Sequence, residues 1–156
     1  MELKNKRIIV TGGSDGIGRH ICLKLAAVGT RLAILGRDAD RLAAVEAECI
    51  AAGASEAIGI ACDIQNPDAI SGAVEQVTAA FGGLDILINN AGIWHKTGPL
   101  DEIPPQLLQA TVQTNLTGLM QITQAAIPAL RANDEGIILN VVSKSGVVAQ
   151  AGQSVY

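Results

Sequence analysis

Residues 7–18, RIIVTGGSDGIG, decide the fold of this chain. The apolar, β-branched run at 7–11 predicts a short buried strand, and the apolar spacing that begins at Ile17 predicts a helix. A glycine-rich turn connects the two. Such a turn can bring backbone N–H groups close to a pyrophosphate at the amino end of a helix. The stretch therefore predicts the first strand, turn and helix of a dinucleotide-binding βαβ unit.

The glycines of this turn have distinct predicted roles. Gly12 permits the tight turn, while Gly16 and Gly18 remove side chains where a phosphate and the strand must approach the backbone. The spacing departs from G-x-G-x-x-G, since Ile21 stands where the third glycine would be. Because ordinary turns also contain glycine, the hypothesis depends on the position of this turn directly after a predicted strand. The candidate cofactor contacts here are Gly12, Ser14, Asp15, Gly16, Ile17 and Gly18.

The alternation of strand and helix continues along the chain. Short apolar runs predict further buried parallel strands at 31–35, 57–62, 85–89 and 136–142. Helical spacing is found at 17–28, 38–52, 67–81, 105–112 and 117–131. Short loops between them indicate right-handed βαβ units. We predict a single domain, residues 1–156, with an α/β fold: a Rossmann-like, doubly wound parallel sheet of about five strands in the order 3-2-1-4-5.

Composition narrows the class of protein. Hydrophobic residues make up 49% of the chain, which is enough for a packed core. The formal net charge of −4 argues against nucleic acid or an anionic membrane as a partner. The three cysteines show no CxxC spacing and predict reduced thiols in a cytoplasmic protein, with no metal site. The amino-terminal residues lack the long apolar segment of a signal peptide, and no apolar run reaches the ~20 residues of a membrane span.

Five motifs stand in the order and at the spacings of the short-chain dehydrogenase/reductase family, and the whole chain resembles its classical type. Residues 11–18 are similar to the family's Thr-Gly-x-x-x-Gly-x-Gly cofactor signature, and residues 89–92 to its Asn-Asn-Ala-Gly element. Asp63 stands at the tip of the third predicted strand, where the family places an aspartate against the adenine amino group. Further implied cofactor contacts are Asp63, Ile64, Asn89, Asn90, Ala91 and Gly92.

The resemblance implies an oxidoreductase that transfers a hydride between a nicotinamide and the carbonyl or alcohol group of a small molecule. Asn115, Ser143 and Tyr156 match the family's catalytic residues. Tyr156 would give or take the hydroxyl proton, Ser143 would hydrogen-bond the substrate oxygen, and Asn115 would hold a water of the proton relay. The family pattern N-x-x-S-x-x-G favours Ser143 over Ser145.

Most of these motifs also have a structural interpretation. Asp63 and Asn115 could cap a helix or close a turn, and the asparagines of segment 89–92 could satisfy backbone groups. Ser143 could belong to a generic polar loop. Trp94 and His95 could line a substrate cleft or lie on a surface loop.

The preference for NAD(H) or NADP(H) is determined at the end of the second predicted strand, Leu35-Gly36-Arg37-Asp38. An acidic residue at this point would bind a ribose 2′-hydroxyl, whereas an arginine can accommodate a 2′-phosphate through two donors. Gly36 occupies the family's usual acidic position and Arg37 follows it, as in members that prefer NADP(H). We interpret Asp38 as the N-cap of the next helix, although Arg37 could also be a solvated surface charge. We expect NADP(H) to be favoured over NAD(H).

The sequence stops at Tyr156, before the lysine that the family places four residues later to lower the tyrosine pKa. We therefore expect a truncated form with little or no activity. The predicted sheet would end at an open edge at 136–142, which indicates a homo-oligomer. The alternative function is a non-catalytic dinucleotide-binding or assembly module.

Overall fold

The strands form one parallel sheet in the order β3-β2-β1-β4-β5. The computed structural model describes residues 2–94, 98–133, 135–148 and 151–153, and the statements below concern those residues. The predicted order 3-2-1-4-5 is confirmed. The strands are β1 (Arg7–Thr11), β2 (Arg31–Gly36), β3 (Glu56–Ala61), β4 (Ile86–Asn89) and β5 (Ile137–Asn140).

Helices follow the first four strands, as the sequence predicts, and cover both faces of the sheet. They are α1 (Gly16–Ala26), α2 (Ala39–Ala52), α3 (Pro67–Phe81), α4 (Pro105–Val112) and α5 (Leu119–Arg131). A π-helical segment, Gln113–Gly118, joins α4 to α5, so the two form one continuous helical stretch. Short 3₁₀ turns lie at Leu100–Glu102 and Lys144–Gly146.

Local sequence sets the helix boundaries. Helix α2 begins where the Asp38 carboxylate accepts a hydrogen bond from the Arg41 backbone N–H at 3.0 Å, which confirms the predicted N-cap. It ends at Gly53, whose φ of 110° is left-handed. Helix α3 starts with Pro67 after the cap Asn66 and ends at Gly82, with a φ of 73°.

Two apolar layers hold the helices to the sheet. Alternate strand residues point to opposite faces, so Ile8 and Val10 pack under α1 and α2, while Ile9 packs under α3 and α5. These side chains are fully buried. Both faces of the central strands are therefore covered, which explains their nearly continuous apolar sequence.

An ion pair lies at the amino ends of the strands, and β5 forms one lateral edge of the sheet. At the amino ends of the strands, Arg7 pairs with Asp85 at 2.7 Å between Nη2 and Oδ1, and also donates to the Gly82 carbonyl and the Asn133 side chain. Strand β5 pairs with β4 along four residues, and it is therefore shorter than the predicted strand at 136–142.

In the part of the chain that the structure describes, every helix is too short or too polar to span a bilayer.

Candidate functional site

An open cavity of about 900 Å³ lies at the carboxyl ends of the strands. Parallel α/β sheets bind ligands at this end, where the loops after successive strands meet. The wall includes thirteen of the sixteen residues predicted from the sequence. They are Gly12, Ser14, Asp15, Gly16, Ile17, Arg37, Asp63, Ile64, Asn90, Ala91, Gly92, Asn115 and Ser143. Gly18 and Asn89 lie outside the wall, and both Tyr156 and His95 lie outside the described residues.

At two of its glycines, the turn after β1 lies too close to neighbouring backbone for a side chain to fit. A Cβ on Gly12, whose φ is 63°, would lie 2.9 Å from the Cα of Ala91. A Cβ on Gly18 would collide with the carbonyl oxygen of Gly12. Gly16 differs, because its φ is 51° but a Cβ there would meet no atom within 4 Å. Gly18 thus lets α1 approach the turn, while Gly16 faces open space.

Thr11 and Asn90 connect this turn to the loop after β4. The Thr11 hydroxyl oxygen accepts hydrogen bonds from the backbone N–H groups of Asn90 and Ala91, both at 3.0 Å. The Asn90 side chain donates to the carbonyls of Thr11 and Gly12, at 3.0 and 3.2 Å. Asn90 therefore holds the turn in place while also lining the cavity.

Asn89 points the other way from Asn90. Its side-chain amide donates to Thr123 on α5 and to Asn140 on β5, both at 2.9 Å, and the residue is 2% exposed. Neighbouring residues of a strand face opposite sides, so only one of the two asparagines can face a given side. Asn89 therefore joins side chains of α5 and β5, and it is Asn90 that bonds backbone groups, as the structural interpretation of these asparagines predicts.

Asn115 lies in the π-helical segment and clamps the backbone of Ile93. Its Oδ1 accepts from the Ile93 N–H and its Nδ2 donates to the Ile93 carbonyl, each at 2.8 Å. These two bonds use one N–H group and one oxygen lone pair of the side-chain amide, which leaves its second N–H and second lone pair for a relay water. A Cβ on Gly118 would collide with the Ile64 carbonyl, so this glycine lets the π segment approach the end of β3.

Ser143 caps the short 3₁₀ turn that follows β5. Its Oγ accepts from the Ser145 N–H and donates to the Ser145 Oγ, both at 3.1 Å, and Ser145 in turn donates to Gln153 at 2.6 Å. Ser143 lines the cavity and Ser145 does not. Of the two serines, Ser143 is thus the one that a ligand in the cavity can contact.

The loop after β2 carries the charged part of the wall. A Cβ on Gly36 would lie 2.7 Å from the Ser14 hydroxyl oxygen, so an acidic side chain would not fit at this position without a shift of Ser14. Arg37 and Arg41 both line this region. No sequence signal singles out Arg41, which stands as an ordinary residue in the first turn of α2.

The loop after β3 carries Asp63 and a buried thiol. The Asp63 carboxylate accepts from the Gln65 N–H at 3.0 Å and so closes a turn at the cavity wall. Cys62, also in the wall, is 4% exposed, and this burial raises the pKa of its thiol to about 11. The thiol is therefore neutral at physiological pH and a poor nucleophile.

These features fit a bound dinucleotide. The glycine turn offers backbone close to the amino end of α1, the loop after β2 offers guanidinium groups, and the loops after β4 and β5 offer polar groups about a common space.

A model of the family described as short chain dehydrogenase matches residues 6–156. The chain is 37% identical to the D-beta-hydroxybutyrate dehydrogenase of Cupriavidus necator, with 99% of this chain and 59% of that protein covered. It is similar in structure to an NAD+-bound xylitol dehydrogenase, with a TM-score of 0.95 at 29% identity, covering 100% of this chain and 60% of that one. A short chain dehydrogenase of Burkholderia cenocepacia in complex with NADP gives a TM-score of 0.90 at 41% identity, with 100% and 63% covered.

The chain thus spans about three fifths of the length of these proteins. The match extends from the first strand through every loop that lines the cavity. On the family match, the sheet order and the arrangement of these loops, the chain belongs to the short-chain dehydrogenase/reductase family.

Proposed function

We propose that the protein is an NADP(H)-dependent oxidoreductase that transfers a hydride between a nicotinamide and the carbonyl or alcohol carbon of a small molecule. The observation that carries this proposal is the single cavity wall shared by the glycine turn, Arg37 and Ser143. Its volume, about 900 Å³, lies at the upper end of the range that is usual for ligand pockets. Nucleotide binding and substrate chemistry would then take place in one continuous space.

The preference for NADP(H) rests on the loop after β2. A carboxylate that could bind the ribose 2′-hydroxyl is absent at Gly36, and the nearby Ser14 leaves no room for one. A phosphate monoester carries a charge of about −1.5 to −2 near neutral pH, which an arginine can neutralise through two hydrogen bonds. Arg37 is exposed and lines the cavity at this point. The solved structures above include both an NAD+ and an NADP complex, so the preference is argued from these residues alone.

The chemistry would divide among three residues of this chain. The bound nicotinamide supplies or accepts the hydride. Ser143 would donate its hydroxyl hydrogen to the substrate oxygen, giving up its bond to Ser145. Tyr156 would give or take the proton at that oxygen, a role that rests on its sequence position relative to Ser143. Asn115 would position Ile93 through its side chain and hold a water of the proton relay.

The substrate class is a small alcohol or carbonyl compound. The relatives named above act, by their names, on hydroxybutyrate and xylitol, both of which carry alcohol groups. The wall also carries Trp94 and Val142, which are 59% and 79% exposed. An apolar portion of the substrate would contact these side chains.

Trp94 also provides the test of cofactor binding. It is the only tryptophan of the sequence and it lines the cavity, so its fluorescence should transfer to a bound reduced nicotinamide. We expect NADPH to quench Trp94 at lower concentration than NADH does. Arg37→Ala should weaken NADPH about tenfold and leave NADH nearly unchanged. Equal affinities in the parent protein, together with no effect of Arg37→Ala, would show that the preference is wrong.

Turnover is measured separately, as NADPH oxidation with a panel of small ketones, aldehydes and keto acids. Loss of turnover with intact NADPH binding in Ser143→Ala and Tyr156→Phe supports the assigned roles. NADPH binding by the parent protein without any turnover would favour the alternative, a non-catalytic dinucleotide-binding or assembly module.

We further propose that the protein is a single domain, is cytoplasmic and forms homo-oligomers. The buried free thiols Cys22, Cys49 and Cys62 are compatible with a reducing compartment. The edge strand β5 exposes Ile138 and Leu139 at 42% and 48%, and such an edge favours pairing with another copy. Light scattering tests the oligomer, and a monodisperse monomer would contradict it.

A further inference from the structure

Arg41 lies in the first turn of α2, and its guanidinium is held between two carboxylates at the cavity wall. Its Nη1 is 2.8 Å from the Asp15 Oδ2, and its Nε is 3.4 Å from the Asp38 Oδ2. The other oxygen of each carboxylate bonds to a backbone N–H: Asp15 to Gly16 at 2.7 Å and Asp38 to Arg41 at 3.0 Å. The two carboxylates are thus fixed by the backbone, and they fix the guanidinium in turn.

The charges of four side chains in this part of the cavity wall balance one another. Arg37 and Arg41 are cationic, Asp15 and Asp38 are anionic, and all four line the same cavity. The side chains of the Arg41–Asp15 pair are 59% and 74% exposed. An ion pair as exposed as this contributes little net free energy, so exchanging one partner for another anion costs little. A phosphate monoester offers more charge than a carboxylate, together with a geometry that a guanidinium can bind through two donors.

We propose that Arg41 is a second guanidinium that binds the ribose 2′-phosphate of NADP(H), alongside Arg37. Asp15 and Asp38 hold Arg41 at the cavity wall when no phosphate is bound, and Arg41 exchanges Asp15 for the phosphate when NADP(H) enters. This inference rests on the proposed preference for NADP(H). It assigns Asp15 a role in positioning Arg41, beyond its role as the N-cap of α1.

The competing explanation is that Arg41 simply ties α2 to the glycine turn. A matched pair separates the two explanations. Arg19 and Glu48 also join α1 to α2, at 2.7 Å and with side chains 35% and 41% exposed, but neither lines the cavity. Loss of a purely structural tie would affect NAD+ and NADP+ alike, whereas loss of a phosphate ligand affects only compounds with a 2′-phosphate.

The experiment is isothermal titration of the whole chain and of Arg37→Ala, Arg41→Ala, Arg41→Gln and Arg19→Ala. The probes are NADP+ against NAD+, and adenosine 2′,5′-bisphosphate against 5′-AMP. We expect both Arg41 variants to weaken NADP+ and the bisphosphate about tenfold, since one charge-assisted contact is lost. NAD+ and 5′-AMP should change by less than about twofold, and Arg19→Ala should change none of the four probes. The affinity for NADP+ should also depend less steeply on salt in Arg41→Ala.

Two results would overturn the inference. In the first, Arg41→Ala and Arg41→Gln weaken NADP+ and NAD+ equally, which identifies a structural tie. In the second, Arg37→Ala selectively weakens the binding of NADP+ while both Arg41 variants leave that binding unchanged. This result excludes Arg41 from the phosphate site and leaves the NADP(H) preference intact. Equal binding of NADP+ and NAD+ by the parent protein, with no effect of Arg37→Ala, would instead refute the proposed preference itself. Circular dichroism of each variant verifies folding, and Arg41→Gln, which keeps most of the side chain, replaces the alanine variant if that one unfolds.

Discussion

The hydrogen bonds between Asn115 and Ile93 make a quantitative prediction for the variant Asn115→Ala. The substitution removes two bonds of 2.8 Å and leaves the Ile93 N–H and carbonyl without these partners. Each such bond contributes about 1 kcal/mol net. Both residues are only partly buried, so water can reach the freed groups and the further desolvation penalty is small. The expected loss in the free energy of unfolding is therefore about 2 kcal/mol, or a fall in Tm of about 4–8 °C for a chain of this size.

The assay combines thermal unfolding with hydrogen exchange at the Ile93 amide. Exchange at this amide should accelerate in Asn115→Ala, while amides in β1 remain protected. Asn115→Asp serves as the matched variant, because it keeps the acceptor for the Ile93 N–H and loses the donor to the carbonyl. It should retain protection of the Ile93 amide and still lose stability. Unchanged Tm and unchanged Ile93 exchange in Asn115→Ala would refute the idea that this side chain is a clamp.

Three further variants test other parts of the structure. Gly18→Ala should abolish NADPH binding because its Cβ meets the Gly12 carbonyl, whereas Gly72→Ala, in open space on α3, should bind normally in the same fluorescence titration. Asp85→Asn should lose about 2 kcal/mol in urea denaturation at pH 7. Hydrogen bonds from Arg7 lower the Asp85 pKa, so its stabilisation is present above the unfolded value of about 4 and disappears as pH falls through the folded pKa; the two proteins should converge once the pH lies below that folded pKa. Ile138→Lys on β5 should reduce the mass observed by light scattering, and an unchanged mass would count against pairing at this edge.

The sequence was sufficient for the strand order, the helix positions and the end of the sheet that holds the cavity. These depend on patterns with a clear physical basis, such as the apolar runs of buried strands and the cap formed by Asp38. The π-helical segment could not be predicted in this way, because its six residues are too few for an apolar pattern to distinguish a π turn from an α turn. Its presence is explained by tertiary contacts, in which Gly118 approaches Ile64 and Asn115 reaches Ile93.

The direction in which side chains point is the other feature that could not be predicted from the sequence. The two asparagines after β4 are adjacent in sequence, and only the strand register decides that Asn89 faces α5 while Asn90 faces the glycine turn. The contact of Arg41 could not be predicted for a similar reason. Its sequence position marks it as an ordinary first-turn residue of α2, and only the fold brings it to Asp15.

Thr11 and Asn90 make the glycine turn and the loop after β4 move together. The two loops share four hydrogen bonds, in which one hydroxyl and one amide each serve two partners. Much of the conformational entropy of these loops is therefore lost on folding, before any ligand arrives. If a bound phosphate orders the glycine turn, the loop that leads towards Trp94 would be ordered with it. This second step would cost no additional conformational entropy. The nucleotide would in this way prepare the far part of the cavity for the second molecule to bind.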